Sequence, residues 1–283
     1  MTLNVKALSP HIGAEIEGLD LSAPMSDEDF AVVRDAFYKH AVIVVRGHSF
    51  DDDDHIRFSS RFGELRTLKF DKYLGERRPE IFVVSNIKKD DQYIGAHDAG
   101  MFWHSDAPFI PKPHGPSALH ALEVPQQDGR ALGATHFASA AAAYEALPAG
   151  TKKLVDGLQA VQSLARRLEL AEAIGITSAT LQQSKDQEVQ AVHPVVRIHP
   201  VTGQKCLYVC DGYTSEILGV PADEGKALLK ELTTHVIKPE FCFTHSWRVH
   251  DLVMWDNCSS QHKATFDYQL PQRRLMHRTT LVG

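Results

Sequence analysis

Three side chains carry the first chemical signal. His104 and Asp106 are one residue apart in Trp103-His104-Ser105-Asp106-Ala107-Pro108-Phe109, and His262 lies far downstream in Asn257-Cys258-Ser259-Ser260-Gln261-His262. Two imidazoles and one carboxylate can hold one face of a ferrous ion and leave the other positions open. In an extended strand, residues i and i+2 point the same way, so His104 and Asp106 would share an ion with Ser105 turned away. The tripeptide alone carries little weight in a chain with 16 histidines, where chance pairs are common. His262 alone could equally be a hydrogen-bonded core histidine. The run after it adds weight, because it contains Arg273, Arg274 and Arg278. A guanidinium offers planar, two-pronged donors that suit a carboxylate. On a strand, Arg274 and Arg278 share a face with Gln272 and Met276, whereas Arg273 points away and reads as surface charge.

From Trp103-His104-Ser105-Asp106 through Trp255–His262 to Arg274 the chain resembles the taurine / 2,4-dichlorophenoxyacetate dioxygenase family of Fe(II)/2-oxoglutarate enzymes. The family pattern is W-H-[ST]-D, a distal histidine, then an arginine about a dozen residues on; Arg274 follows His262 by twelve. The likeness covers most of the chain, from Phe62-Gly63-Glu64-Leu65, and is closest from Tyr208 to Leu281. It implies His104, Asp106 and His262 as ligands of Fe(II), with 2-oxoglutarate and O2 as cosubstrates. It also implies that Arg274 and Thr135 hold the far carboxylate of 2-oxoglutarate. The family usually reads G-G-D-T at that threonine; here Leu132-Gly133-Ala134-Thr135 follows a longer loop. Asp106 implies a hydroxylase, since the related iron halogenases lack the carboxylate ligand. The expected outcome is hydroxylation of a small organic substrate, with succinate and carbon dioxide released.

The substrate side departs from the taurine branch. An asparagine four residues before the first ligand binds taurine there; this chain has Gly100. A histidine soon after F-G-E-L is replaced by Arg66-Thr67-Leu68-Lys69-Phe70. Taurine is therefore not the expected substrate, and Gly100 suggests a roomier pocket. Phe109 and Tyr213 are expected as aromatic walls and Arg278 as the partner of an anionic group, either on the substrate, expected to be an organic acid, or on the cosubstrate.

Composition narrows the remaining classes. A chain of 283 residues with 43% hydrophobic content suits one large domain over 1–283 that buries an ample core. A net charge of −6 gives no reason to expect a nucleic acid or anionic membrane partner. Cys206, Cys210, Cys242 and Cys258 form no C-x-x-C pair and read as free thiols of a cytoplasmic protein. Cys258, near His262, reads as either an oxidation-prone thiol or a buried, inert one, with the second favoured. No signal-peptide core or bilayer-length apolar run is present. A homo-oligomer is expected from the resemblance.

The elements that must position these residues read as α+β with a β core; the resemblance specifies a double-stranded β-helix, or jelly roll, with helices around it. Ser26-Asp27-Glu28-Asp29 starts a helix continued by Phe30, Val33 and Phe37. Ala41–Val45 is a buried strand, and Asp51–Phe62 a second helix whose acidic start suits the helix dipole. Ile81–Val84, Ser117–Glu123, Ala134–Phe137, Phe241–Phe243 and Leu252–Trp255 read as strands, and Asp223–Val236 as an amphipathic helix. Lys88–Gly100 reads as a polar mobile loop. Leu164–Gln187 reads as either a lid over the site or a disordered insert. Two other functions fit the ligand set alone: a zinc hydrolase and a non-catalytic metal-binding protein. A hydrolase has no need of the downstream arginine, and three intact ligand positions argue against decay into a binding module.

Overall fold

The strongest apolar run becomes the centre of the fold. In the computed structural model, which describes residues 3–67, 74–75, 78–175 and 189–283, Val42–Val45 is buried at all four positions. Such continuous burial requires cover on both faces of a sheet. That sheet has eight strands in the order Asn4–Ala7, Ala14–Glu17, Val42–Val45, Leu252–Trp255, Ser117–Glu123, Leu275–Thr280, Arg78–Ser85 and Leu74–Gly75. Neighbours are antiparallel, except that Ala14–Glu17 runs parallel to Val42–Val45.

Strand alternation sends successive side chains to two different cores. On the outer face, Ile43, Val45, Leu252 and Met254 pack against Val33 and Phe37 of α1 (Asp27–His40) and Phe58 of α2 (Asp52–Ser60). On the inner face, Val42, Val44, Leu119, Val253, Trp255 and Met276 pack with Phe137 and Phe243. These two aromatics belong to a second sheet, ordered Cys242–His245, Thr135–Ser139, Ser260–Ala264. The result is α+β, with a mixed sheet facing a smaller antiparallel one and helices outside.

Local sequence explains the helix starts. Ser26 accepts a hydrogen bond from the Asp29 backbone N–H at 3.0 Å, and Asp51 forms a reciprocal capping box with Asp54. Each cap contributes about 1 kcal/mol. A third core joins α3 (Ala140–Glu145), α4 (Ala149–Val155), the Gln159–Ser163 strand and a long helix, here α6, at Ala222–Val236. Leu228, Leu232 and Val236 are buried there as expected, while Leu229 is only partly covered.

Two expectations change. Lys88–Gly100 is not a featureless loop: Lys88–Lys89 and Gln92–Tyr93 pair as a tight hairpin, with Asp90 and Asp91 at positive φ. The Leu164–Gln187 stretch begins as α5 (Leu164–Ala173), which buries Leu168 and Ala171 against Phe102; its remainder, from 176, lies outside the described residues. Among the described residues, no helix is long and apolar enough to cross a membrane.

Candidate active site

Backbone pairing brings the distant ligands together. His104 and His262 form an isolated antiparallel bridge, with His104 N–H donating to His262 O at 3.1 Å and His262 N–H to His104 O at 2.8 Å. Residues directly opposite in such a pair project to the same side, so the two rings meet with centroids 4.1 Å apart. This corrects the expected geometry: the H-x-D motif is not on a regular strand. A bridge fixes His104 alone, and Asp106 is held by other means.

Asn257 is the main holder. Its side-chain oxygen accepts from the Asp106 backbone N–H at 3.0 Å, and its amide donates to Asp106 Oδ2 at 3.2 Å and Gly115 O at 2.7 Å. Ser117 Oγ donates to the same Oδ2 at 2.8 Å. Oδ1 is left facing the imidazoles, 3.8 Å from His104 Nε2 and 3.9 Å from His262 Nε2. One ligand atom from each of the three buried residues lies within 4.8 Å of the others. Neither Asn257 nor Ser117 belongs to a pattern readable in the sequence.

Protonation favours a cation. His104 Nδ1 meets Phe102 O at 2.8 Å, which places the ring proton there and leaves Nε2 free. Burial draws both imidazoles below their ordinary value, so each is neutral and able to ligate. Burial pushes the Asp106 carboxyl up, but the Arg278 guanidinium outweighs it and holds it well below the usual range.

Arg278 reaches the centre, as the shared strand face anticipated. Its NH1 donates to Asp106 Oδ1 at 3.2 Å, and its guanidinium carbon lies 4.8 Å over the Phe82 ring. Arg274 is 4% exposed and its Nε has no hydrogen-bond partner among the described residues. Burial lowers its pKa against a hydrogen bond with Tyr268. A buried guanidinium N–H without a partner is what a bound carboxylate would satisfy. Arg273 points outward to Glu123 at 2.9 Å, as a surface charge should.

Thr135 starts the central strand of the smaller sheet, and its hydroxyl accepts from Trp247 Nε1 at 3.0 Å. Its own proton stays available for a further acceptor. The preceding glycine packs Arg274: a Cβ at Gly133 would lie 3.4 Å from Arg274 Nε and 3.0 Å from the Tyr268 ring. The lengthened loop before it is a hairpin, Gln126–Gln127 with Arg130–Ala131, turned by Asp128-Gly129 at positive φ.

Phe109 and Tyr213 pack together, with ring centroids 5.2 Å apart, and Tyr213 stands edge-on to His104 at 5.9 Å. Arg167 of α5 lines the same recess beside Gly100, His104 and Tyr213, and lies 3.8 Å from Asp98. A lone arginine in a charged segment gave no signal for it. Gly100 corrects its expected role. It has φ +86, and a Cβ there would meet Ala264 Cβ at 3.2 Å and His104 at 3.9 Å. The glycine permits a left-handed turn and a close crossing of the distal-ligand strand, where Ala264 N–H donates to Gly100 O at 2.7 Å. The space is filled by that strand, so it does not enlarge a substrate pocket.

The model of the taurine catabolism dioxygenase TauD, TfdA family matches residues 4–280. The chain belongs to this family. It is 31% identical to the alpha-ketoglutarate-dependent 2,4-dichlorophenoxyacetate dioxygenase of Burkholderia sp. (strain RASC), over 100% of this chain and 95% of the relative. It is also 31% identical to the alpha-ketoglutarate-dependent sulfate ester dioxygenase of Pseudomonas putida, over 100% of this chain and 90% of that one. The crystal structure of AAD-2 in complex with Mn(II) and N-oxalylglycine superposes with a TM-score of 0.82 at 30% identity, covering 100% of this chain and 98% of the other.

This TauD/TfdA-family protein is therefore an Fe(II)- and 2-oxoglutarate-dependent dioxygenase that uses O2. Its residues fit those groups. The neutral imidazoles and ionised carboxylate suit a divalent ion. The partnerless Arg274 Nε suits a carboxylate.

Proposed function

We propose that this dioxygenase hydroxylates a small anionic organic acid other than taurine, with release of succinate and carbon dioxide. The observation that carries this reading is Arg278, a guanidinium donating to the metal-facing oxygen of Asp106. Arg278 and Arg66 both act electrostatically on the half-buried His114, opposite Asp106. Two guanidiniums around one carboxylate favour an anion. The named substrates of the two relatives, a phenoxyacetate and a sulfate ester, belong to that class.

When bound, ferrous iron and 2-oxoglutarate together activate O2 to oxidise a C–H bond. The chain's part is to bind, orient and exclude water. His104, Asp106 and His262 hold the ion, with Asn257 and Ser117 fixing the carboxylate. Arg274 and Thr135 take the far carboxylate of 2-oxoglutarate, and Arg278 takes the substrate's anionic group. Phe109 and Tyr213 flank its apolar part. The carboxylate ligand Asp106 favours hydroxylation over halide transfer. The facing sheets support the double-stranded β-helix reading. A single domain over 1–283, a homo-oligomeric state, a cytoplasmic location and the lack of a nucleic acid partner complete the proposal.

The test measures succinate release in the presence of Fe(II) and O2 across phenoxyacetates, sulfonates, sulfate esters and aliphatic carboxylates. At least one acid should stimulate release while its uncharged methyl ester does not. Esters that serve as well as acids would refute the anionic substrate class. Hydrolysis with a zinc-loaded protein and no use of 2-oxoglutarate would favour the hydrolase instead.

A further inference from the structure

A connection between the two sheets passes beside Thr135. The Cys242–His245 strand belongs to the smaller sheet and Leu252–Trp255 to the main one, so residues 246–251 cross from one to the other. Thr135 pairs with His245 at the end of the first strand, and Trp247 lies two residues further on. Its buried side chain turns back into the inner core with Val44 and Phe137, and Nε1–H donates to Thr135 Oγ1 at 3.0 Å. Among the described residues that is the one hydrogen bond of the Thr135 side chain. An indole N–H can only donate, so it occupies a lone pair of Oγ1 and cannot receive the hydroxyl proton.

The indole is itself held. Asp251 Oδ2 accepts from Arg46 NH1 at 2.6 Å, from the Arg248 backbone N–H at 2.8 Å and from His245 Nε2 at 3.0 Å. Arg46 NH2 lies 3.4 Å from His245 Nδ1, which accepts there, so the ring proton sits on Nε2. The imidazole, fixed from both sides and fully buried, stands edge-on to the Trp247 indole with centroids 4.6 Å apart. The crossing is also anchored on the main sheet. His250 N–H donates to Ala121 O at 2.7 Å and Ala121 N–H to Asp251 O at 2.9 Å. Ala121 in turn pairs with Met276, two residues beyond Arg274.

We propose that Trp247 is a positioning residue for 2-oxoglutarate: its N–H turns the Thr135 hydroxyl proton toward the far carboxylate, and Arg46, Asp251 and His245 keep the indole in place. The inference rests on the reading that Thr135 and Arg274 take that carboxylate. Thr135 belongs to the smaller sheet, and Arg274 immediately precedes a strand of the main one. A carboxylate gripped from both is held only as exactly as the crossing that spaces the sheets. A lone hydroxyl rotates among acceptors, whereas one whose lone pair is engaged by a fixed donor is already set for an anion. Trp247 therefore acts through Thr135.

The experiment is a calorimetric titration of full-length Mn(II)-loaded protein, which needs no turnover. The two ligands are 2-oxoglutarate and 2-oxovalerate, a 2-oxo acid of the same chain length that lacks the far carboxylate. Trp247→Phe keeps a ring in the core and removes the donor. It should weaken 2-oxoglutarate about 3- to 10-fold, the worth of one neutral hydrogen bond, and leave 2-oxovalerate unchanged. Thr135→Val should also weaken 2-oxoglutarate, and the double variant should bind it no more weakly than Thr135→Val alone. Arg46→Met removes a partner of Asp251 without touching the indole. It should show the same selective loss, which covers a folding failure of Trp247→Phe. Equal losses for both 2-oxo acids, additive losses in the double variant, or native 2-oxoglutarate affinity in Trp247→Phe or Arg46→Met would overturn the proposal. Native affinity in Thr135→Val would instead overturn the assignment of Thr135, and the inference with it.

Discussion

Asp106 is the residue on which most of the site converges. Its Oδ2 is occupied by Ser117 and Asn257, which leaves Oδ1 as the single oxygen directed at the imidazoles. Asp106→Ala and His104→Ala should each abolish Mn(II) binding and succinate formation, since two ligands rarely retain a labile ion; near-native titration of either variant would contradict the triad. Arg274→Ala should raise the 2-oxoglutarate requirement by an amount equivalent to about 2–5 kcal/mol, the cost of breaking a buried hydrogen-bonded charge pair. An unaltered KM for 2-oxoglutarate would remove Arg274 from that role. Arg278→Ala should act mainly on the KM for the organic acid, and an effect confined to 2-oxoglutarate would reassign it.

Between elements, two interfaces make distinct predictions. Gly100 crosses the strand carrying His262, and Gly100→Ala puts a Cβ both at positive φ and against Ala264. It should lower stability by about 1 kcal/mol or more and weaken Mn(II) binding together, read from thermal melts and titration. A melt indistinguishable from the native one would show that the crossing is not tight. The second interface lies between α2 and the outer face of the main sheet. There His120 stacks on Phe50 at 3.8 Å, with neither ring nitrogen hydrogen-bonded among the described residues, beside His55, His250, His277 and Asp52. Burial lowers His55 to about 3 and His120 to about 4, against an ordinary value near 6.5. The unfolded chain then binds more protons than the folded one between those values. Stability from this source is full above pH 6.5 and is lost as pH falls toward 4 and then 3. His120→Phe keeps the stacking and removes one titration, so its melting temperature should fall less steeply over that window.

Taken together, the facing sheets enclose the ligands between two strands and one irregular segment, so folding and metal binding are coupled. Mn(II) at 100 times its dissociation constant should raise unfolding stability by about 2.7 kcal/mol in the native chain. The same addition should leave the melting temperature of Asp106→Ala unmoved. An equal rise in both would place the stabilising ion elsewhere.

The residue types and intervals were enough to point to the chemistry: His104, Asp106 and His262, which the fold brings together, and Arg274, the proposed carboxylate partner, stand in linear order, because donor chemistry belongs to side chains rather than to packing. Helix caps at Ser26 and Asp51 and the buried strand at Val42–Val45 were legible for the same reason, being local. What the linear order left open was every contact made across the fold. Asn257 and Ser117 look ordinary in the chain and become the supports of Asp106 only when the turn at 257–259 and the Ser117 strand meet the irregular segment that carries it. Gly100 reads as an absent side chain until the strand at Ala264 is seen to occupy the space. Arg167 enters the recess only because α5 docks on Phe102. Such roles depend on which surfaces meet, and burial and register set those over separations far longer than any local pattern reaches.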